Sequence, residues 1–208
     1  MSAVIFDCDG TLVDSEPLSA ETWRHVLGRL GYETTDADVA AVVGSSYPRT
    51  HAFFASRVAL PAPEVLLPEL NRVLFGLIDD RLEVFEDAIT AVADLRERGV
   101  PIAVASGSVR ERLNRTLARA GLAFEITVAG DEVEHGKPSP DMFFLAAARL
   151  GVAPERCVVV EDSAPGVAAG RAAGMPTLGV RRVPDIDLSA ATRVVDVVSA
   201  DAILAMLS

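Results

Sequence analysis

Two aspartates, Asp7 and Asp9, follow the apolar run Ala3–Phe6, which is typical of a buried strand. Side chains two residues apart in an extended chain point to the same side, so both carboxylates are expected to face one crevice at the end of the strand. Neighbouring carboxylates repel each other and stay ionised together only beside a cation or a basic side chain. Because Asp-Gly is also a common turn signal, the pair Asp9-Gly10 taken alone fits a solvated turn equally well.

Three further apolar runs end in polar residues of the kinds that bind phosphate or metal. These residues are Ser106, Gly107 and Ser108 after the run Pro101–Ala105; Gly136, Lys137, Ser139 and Pro140 after Phe124–Val128; and Glu161, Asp162 and Ser163 after Cys157–Val160. Small hydroxyl residues before a helix N-terminus can hold phosphate. Taken singly, Ser106 is better interpreted as a helix N-cap.

The lone lysine of the chain lies in one of these segments. Eighteen of the nineteen basic residues are arginines, and Lys137 is the exception. We expect Ser139 to cap the following helix and Pro140 to open it, which places Lys137 in a rigid turn at a helix entrance. A single lysine there is a weak indication that a compact point charge is required.

Together, the strand ends bring four carboxylates, those of Asp7, Asp9, Glu161 and Asp162, to one crevice. Such a set requires a hard cation, and oxygen ligands without a histidine or cysteine cluster favour magnesium over zinc or copper. The sequence therefore predicts a Mg²⁺ site that leaves room for a phosphate oxygen.

The elements that must position these residues form an alternation of strands and helices. The apolar runs, including Pro176–Val180, are separated mostly by segments of helical spacing. Strands that are apolar on both sides suit a sheet with helices above and below it. We therefore expect an α/β fold with a doubly wound, mainly parallel sheet, whose ligands bind at the carboxyl ends of the strands.

A helical insertion interrupts this alternation after the first strand. Residues 15–81 carry no convincing strand, and Trp23, Val26, Leu27 and Leu30 follow helical spacing. We predict a core domain of residues 1–14 and 82–208, with residues 15–81 forming an inserted α-helical domain.

Composition excludes several classes of function. A net charge of −11 disfavours binding to nucleic acid or anionic lipid, and no apolar run is long enough to span a bilayer. Two cysteines, Cys8 and Cys157, make a disulfide framework improbable. We expect a cytoplasmic protein, a monomer or weak dimer, that binds a small molecule and neither nucleic acid nor membrane.

With these residues in these positions, the chain resembles the haloacid dehalogenase (HAD) superfamily. Four segments match the family's four motifs in order and spacing: residues 7–15 (DCDGTLVDS), 105–108 (ASGS), 136–141 (GKPSPD) and 160–163 (VEDS). The resemblance covers the core from Met1 to about Val180, and the position of the insertion is similar to the cap of the subgroup with β-phosphoglucomutase and small sugar phosphate phosphatases.

The resemblance implies a role for each motif residue. Asp7 is the nucleophile that forms an aspartyl phosphate, and Asp9 is the general acid and base. Mg²⁺ is held by Asp7, the main-chain carbonyl of Asp9 and Asp162, with Glu161 in support. The remaining phosphoryl oxygens are bound by Ser106, the amide of Gly107 and Lys137, which also serves the catalytic step.

Four related activities compete with a magnesium-dependent phosphatase, whose expected substrate is a small phosphorylated metabolite such as a sugar phosphate. A 2-haloacid dehalogenase lacks the second aspartate, and a phosphonate hydrolase needs a lysine in the cap, where this chain has none. A phosphosugar mutase like β-phosphoglucomutase shares all four motifs. Mutases carry histidine where this chain has Ser19 and valine where it has Thr11, which favours the phosphatase. A phosphoacceptor signalling module is a remote alternative, because such modules have no helical insertion.

Substrate specificity is assigned to the insertion. By resemblance, Gly44–Thr50 is the specificity loop, and Ser19 and Arg49 are the candidate residues that contact the substrate there. For Arg49, an ordinary surface arginine is an equally good interpretation.

Overall fold

A computed structural model describes residues 2–42 and 47–207, and the strands within them form two sheets. The strands are β1 (Ala3–Phe6), β2 (Val13–Asp14), β3 (Glu83–Val84), β4 (Ile102–Ala105), β5 (Thr127–Val128), β6 (Cys157–Glu161), β7 (Thr177–Val180) and β8 (Arg193–Val195). The α-helices are α1 (Glu16–Arg29), α2 (Asp36–Ala40), α3 (Tyr47–Ala55), α4 (Pro63–Arg81), α5 (Glu86–Glu97), α6 (Arg110–Arg119), α7 (Asp141–Leu150), α8 (Ala164–Ala172) and α9 (Ala200–Leu204).

The main sheet has six strands in the order β5-β4-β1-β6-β7-β8, and every neighbouring pair is parallel. Strand β1 lies in the centre, with Phe6 in register with Val104 of β4 and Val160 of β6. The chain thus runs outward from β1 on both sides, which creates a topological switch point beside β1. The predicted α/β fold with a parallel sheet is confirmed.

The central strands form because their residues are apolar on both faces. Every residue of β1 is buried, and so is every residue of β6. Helix α7 packs Met142, Phe143 and Ala146 onto this sheet in the same core cluster as Ile5 and Val159. Strands with no exposed face lie inside a layered fold, so the ends of β1 and β6 are held rigidly.

Some strand limits differ from the expected ones. Strand β5 covers only Thr127–Val128 of the run Phe124–Val128, whereas β6 extends through Glu161. The short antiparallel pair of β2 and β3 joins Val13 to Val84, and β8 forms the far edge of the main sheet. Strands β2 and β3 have two residues each and are too short to show a hydrophobic period, which is why the sequence did not indicate them.

Contacts within the chain divide it into two compact units. Met1–Asp14 together with Glu83–Ser208 is called the sheet unit here, and Ser15–Leu82 is called the helical unit. In the described part of the chain, no helix combines the length and apolar character needed to cross a lipid bilayer. Both cysteines are free and buried.

The helical unit has its own small core. Val26 of α1 packs with Leu66 and Leu70 of α4, and Trp23 lies against this cluster. The Trp23 ring also stacks on Phe54 of α3 with ring centroids 5.2 Å apart. Trp23 therefore packs against the core of the helical unit.

Candidate active site

Three carboxylates meet at the carboxyl ends of the adjacent strands β1 and β6. Oxygen atoms of Asp7, Glu161 and Asp162 all lie within 4.8 Å of one another. Asp7 and Glu161 are buried, and Asp162 is half-buried. The strand register brings them together, because Phe6 pairs with Val160 and the next residues of both strands continue to the same edge.

Lys137 supplies a cation inside this acidic cluster. Its ammonium donates hydrogen bonds to Asp7 Oδ1, to Glu161 Oε1 at 2.6 Å and to the carbonyl of Ala105 at 3.2 Å. The side chain is only 11% exposed. Burial disfavours the charged ammonium, but Asp7 and Glu161 outweigh this effect and raise the pKa of Lys137, so the side chain stays protonated.

Asp7 occupies an unusual electrostatic position. Burial raises the pKa of its carboxyl well above the usual range, Lys137 lowers it, and the nearby charges of Glu161 and Asp162 raise it further. Two acidic neighbours and a dry environment therefore oppose ionisation, while one lysine supports it. Additional positive charge at this position favours the carboxylate form.

Glu161 is fixed by the protein through both of its oxygens. Oε1 accepts from Lys137, and Oε2 accepts from the amide and hydroxyl of Ser163 at 2.8 and 2.9 Å. A Cβ at Gly166 would lie 1.6 Å from Glu161 Oε1, so only glycine fits there. Glu161 therefore holds Lys137 directly, which suits a supporting role beside a metal.

Asp162 lies against the loop that follows β1. The Thr11 hydroxyl donates to Asp162 Oδ1 at 2.9 Å. Gly10 has a φ of +82°, and a Cβ there would lie 2.1 Å from Asp162 Oδ2. The glycine is needed both for the left-handed backbone and for this close approach, so the loop of the first motif cradles Asp162.

The side chain of Asp9 has different partners from that of Asp7. Its Oδ2 accepts hydrogen bonds from the hydroxyls of Ser108 at 2.7 Å and Ser106 at 3.2 Å. Its Oδ1 accepts from Arg112 Nη2 at 2.8 Å. Asp9 thus lies at the same end of the sheet and contacts the segment after β4.

Arg112 and the hydroxyl of Ser108 were missed as partners of Asp9. Ser108 belongs to the second motif, but no role was assigned to this residue from the sequence. Arg112 is one of several arginines in α6. Nothing in the spacing of those arginines marks the one that points to Asp9. Such a contact depends on the side-chain rotamer, which the sequence does not show.

Two capping predictions are wrong. Helix α6 begins at Arg110 after the N-cap Val109, and the Ser106 hydroxyl instead accepts from the amide of Ser108 at 3.1 Å. Ser106 lies too far before the helix to cap it. Pro140 takes the N-cap position of α7, and Ser139 donates to Asp141 at 2.6 Å instead of capping the helix.

Gly107 lies between the two serines and approaches another loop closely. A Cβ on Gly130 would lie 2.3 Å from the Gly107 carbonyl oxygen, so the segment after β4 packs tightly against the segment after β5. This contact fixes the backbone around the Gly107 amide, which the sequence assigned to phosphate binding.

The two remaining candidates, Ser19 and Arg49, belong to the helical unit. Ser19 is a half-buried residue of α1, and Arg49 is an exposed residue near the start of α3. Of the predicted specificity loop Gly44–Thr50, residues 44–46 lie outside the described residues. Among the described residues, Arg49 has no ion pair, unlike Arg24 and Arg57 of the same unit.

The sheet-unit cluster fits a magnesium ion by its donor chemistry. Asp7, Glu161 and Asp162 offer only carboxylate oxygens, which Mg²⁺ prefers. The single charge of Lys137 balances one of the three negative charges that these carboxylates carry when ionised. A divalent cation held by Asp7 and Asp162 would complete the neutralisation without displacing Lys137 from Glu161.

Comparison with known proteins agrees with this arrangement. Residues 1–174 match the model of the haloacid dehalogenase-like hydrolases. The fructose-1-phosphate phosphatase YqaB of Escherichia coli is 37% identical over 183 residues, covering 86% of this chain and 96% of that protein. A phosphorylated carbohydrates phosphatase of Thermotoga maritima is 32% identical over 184 residues, covering 84% of this chain and 82% of that protein.

A solved structure shows the same architecture. The crystal structure of a HAD family hydrolase from Deinococcus radiodurans, which contains phosphate and sodium, has a TM-score of 0.73 and 36% identity, covering 94% of this chain and 90% of that one. The chain therefore belongs to the haloacid dehalogenase-like hydrolases. Within that family it is a phosphatase.

Proposed function

We propose that the enzyme hydrolyses a small phosphorylated sugar in a magnesium-dependent reaction through an aspartyl phosphate on Asp7. The observation that carries the proposal is the buried contact of Lys137 with both Asp7 and Glu161 at the carboxyl end of the central strand. In this contact a protonated ammonium lies beside the carboxylate that we propose as the nucleophile. The substrate class is supported by the relatives that are named as phosphatases of fructose 1-phosphate and of phosphorylated carbohydrates.

In the first step, a carboxylate oxygen of Asp7 attacks phosphorus while the bond from phosphorus to the sugar oxygen breaks. Asp9 donates a proton to the leaving alkoxide. Lys137, the Ser106 hydroxyl and the Gly107 amide stabilise the negative charge on the oxygens of the transferring group. The products of this step are the free sugar and the aspartyl phosphate.

In the second step, water attacks the phosphorus of the aspartyl phosphate. Asp9, now a carboxylate, accepts a proton from that water, and the bond between phosphorus and Asp7 breaks. Inorganic phosphate leaves, and both aspartates return to their starting states. Splitting the hydrolysis in this way replaces one difficult displacement with two easier ones.

Asp7, Asp162 and the main-chain carbonyl of Asp9 would hold the magnesium ion, with Glu161 in support. When bound, the ion neutralises charge on the phosphoryl group and on the cluster. Lys137 and Glu161 keep Asp7 oriented during both steps, because each contacts the other and neither is free to turn to solvent.

For Ser19 and Arg49 we propose contact with the sugar part of the substrate, which rests on the sequence motif alone. An arginine without an ion-pair partner among the described residues has donors available for hydroxyl groups or a second anion.

A panel of phosphorylated metabolites tests the proposal. The enzyme is incubated with fructose 1-phosphate, β-glucose 1-phosphate, glucose 6-phosphate, glycerol 3-phosphate and a nucleoside monophosphate, with Mg²⁺ or with a chelator, and phosphate release and the sugar phosphates formed are measured. We expect continuous release from at least one sugar phosphate, dependent on Mg²⁺. Conversion of β-glucose 1-phosphate to glucose 6-phosphate without release would show a mutase, and a single labelling of the protein without turnover would show a signalling module.

A further inference from the structure

The carboxylate of Asp9 is held at both oxygens by donors from one short segment. Arg112 Nη2 donates to Oδ1 at 2.8 Å, and the Ser108 and Ser106 hydroxyls donate to Oδ2 at 2.7 and 3.2 Å. Contacts on both sides of a planar carboxylate restrict its rotation about the bonds to the backbone. Its orientation is therefore set by the segment that runs from the end of β4 into α6.

Arg112 contributes to this arrangement at a cost to stability. Its side chain is 22% exposed, and that of Asp9 is 20% exposed, so the pair is mostly shielded from water. The Nε atom of Arg112 is buried and has no hydrogen-bond partner among the described residues. An unpaired buried donor costs about 1–3 kcal/mol.

The neighbouring Arg110 shows what a structural arginine looks like in the same helix. Its guanidinium contacts Glu132, the Thr127 hydroxyl at 2.7 Å and the Thr127 carbonyl at 3.3 Å. Arg110 thus ties α6 to the end of β5 through several acceptors. Among the residues that the structure describes, Asp9 is the ion-pair partner of Arg112.

From this geometry we infer that Arg112 is a positioning residue for the general acid. It contacts Oδ1, which leaves Oδ2 to carry the proton that Asp9 delivers to the leaving oxygen, because the Ser106 and Ser108 hydroxyls beside Oδ2 can accept as well as donate. The inference rests on the proposed function, because it assigns Arg112 to the proton transfer of the first step. It adds a residue outside the four motifs to the machinery of the reaction.

The inference makes the effect of Arg112 depend on the leaving group. An alkoxide leaving from a sugar phosphate needs the proton of Asp9, whereas p-nitrophenolate is stable enough to leave without it. Arg112→Met keeps the length and apolar stem of the side chain but removes the guanidinium. We expect kcat/KM for the best sugar phosphate to fall about 100-fold, since misplacing a catalytic group by about 1 Å costs that much. For p-nitrophenyl phosphate the expected loss is below about threefold, because general acid catalysis is not needed.

Three companion variants separate positioning from a structural effect. Arg119→Met removes an exposed arginine from the same helix and should leave both rates unchanged. Arg112→Lys keeps a cation without the planar fork, and its rate on the sugar phosphate should lie between those of the wild type and Arg112→Met. Adding Arg112→Met to Asp9→Asn should cause no further loss on the sugar phosphate, because the group to be positioned is already gone.

The results distinguish the inference from the proposed function. Thermal unfolding of each variant is recorded, and the Lys variant provides the comparison if Arg112→Met does not fold. Equal losses on both substrates, no loss on the sugar phosphate, or a further loss in the double variant would overturn the inference while the wild-type phosphatase activity stands. A wild-type enzyme that releases phosphate from neither ester would refute the proposed function, and the inference with it.

Discussion

The buried strand ends of the sheet unit and the exposed helix faces of the helical unit stabilise their charged residues in different ways. In the sheet unit, Lys137 is 11% exposed and touches two carboxylates that are themselves buried. In the helical unit, the ion pair of Arg24 with Asp36 joins side chains that are 43% and 100% exposed. Pairs of the second kind contribute little to stability, whereas breaking a buried pair leaves an uncompensated charge.

Under the proposed function, this contrast separates the residues of the reaction from those of substrate recognition. The residues that we propose for the reaction lie at strand ends and are fixed by several contacts each, so their positions tolerate little change. Arg49 lies on an exposed helical face and has no ion pair with a described residue, so substitution there changes few contacts within the protein. We expect substitutions in the sheet unit to abolish turnover or stability, and substitutions in the helical unit to change substrate preference.

The largest expected effect follows from Asp7→Asn. Asparagine preserves the shape of the side chain but is a poor nucleophile, so turnover should fall by about 10⁴-fold or more. The far-ultraviolet circular dichroism spectrum should remain that of the wild type, and the exposed Asp185→Asn is the matched control. Turnover within about tenfold of the wild type would rule out covalent catalysis by Asp7.

Lys137→Met tests, through the free energy of unfolding, whether the buried charges of the sheet unit depend on one another. Removing the ammonium leaves Asp7 and Glu161 buried without their shared partner, which should lower the free energy of unfolding by about 3–5 kcal/mol. Denaturation by urea measures this change, with the exposed Arg193→Met as control. Mg²⁺ should restore part of the loss by supplying positive charge to the same cluster. A variant as stable as the wild type would show that the buried contact is not energetically important.

In the helical unit, Arg49→Ala should change affinity and leave the chemistry intact. We expect KM for the sugar phosphate to rise about tenfold, the equivalent of one charge-assisted hydrogen bond, with kcat unchanged. Ser19→Ala should act in the same direction with a smaller effect. Steady-state kinetics on the sugar phosphate and on p-nitrophenyl phosphate measures both variants, and Arg72→Ala, an exposed residue paired with Glu69, is the control. An unchanged KM in the Arg49 variant would show that Arg49 is an ordinary surface residue that does not contact the substrate.

The smallest expected effect concerns Glu132 of the sheet unit. The hydrogen bond from Arg149, the Ala129 amide and Arg110 together lower the pKa of Glu132 to about 2, although partial burial opposes them. Because the pKa of Glu132 is lower in the folded protein than in the unfolded chain, the ionised side chain stabilises the fold at pH values above the unfolded pKa. This stabilisation is lost as the pH falls towards 2. Glu132→Gln should therefore cost about 1 kcal/mol at neutral pH, a value suited to an exposed network, and almost nothing near pH 2.

Urea denaturation at several pH values tests the Glu132 prediction, with the exposed Glu134→Gln as control. A difference between Glu132→Gln and the wild type that does not depend on pH would show that the ion pairs of Arg110 and Arg149 do not act through the charge of Glu132.

The sequence predicted the part of the fold whose pattern is strong. Strands β1, β4, β6 and β7 are apolar runs buried on most or all of their residues, and such runs are visible without a structure. Strand β8 was not predicted, because Arg193–Val195 is an edge strand with exposed or half-buried residues and no apolar run. Strand β8 is extended because it pairs with β7, and not because of a strand pattern in its own sequence.

In the candidate site, too, the arrangement that follows from strand pairing was predicted, and the contacts that depend on individual side chains were not. Asp7, Glu161 and Asp162 were predicted as neighbours because parallel strands end at one edge, and they do meet there. The partners of Asp9 were not predicted, since Arg112 reaches it from a helix that is remote along the chain. The expected caps Ser106 and Ser139 were wrong because the N-cap positions are taken by Val109 and Pro140, which follow them in the chain. Helix limits are set by backbone geometry, which sequence patterns locate only to within a few residues.

The covalent intermediate at Asp7 is the central step of the proposed mechanism, and the Asp9→Asn variant can trap it. With p-nitrophenyl phosphate, phosphoryl transfer to Asp7 needs no acid, but hydrolysis of the aspartyl phosphate lacks its base. Rapid mixing should give a burst of nitrophenolate equal to the enzyme concentration, and mass spectrometry after an acid quench should place one phosphoryl group on Asp7. A folded variant that releases nitrophenolate without a burst and carries no phosphoryl group would contradict the central claim.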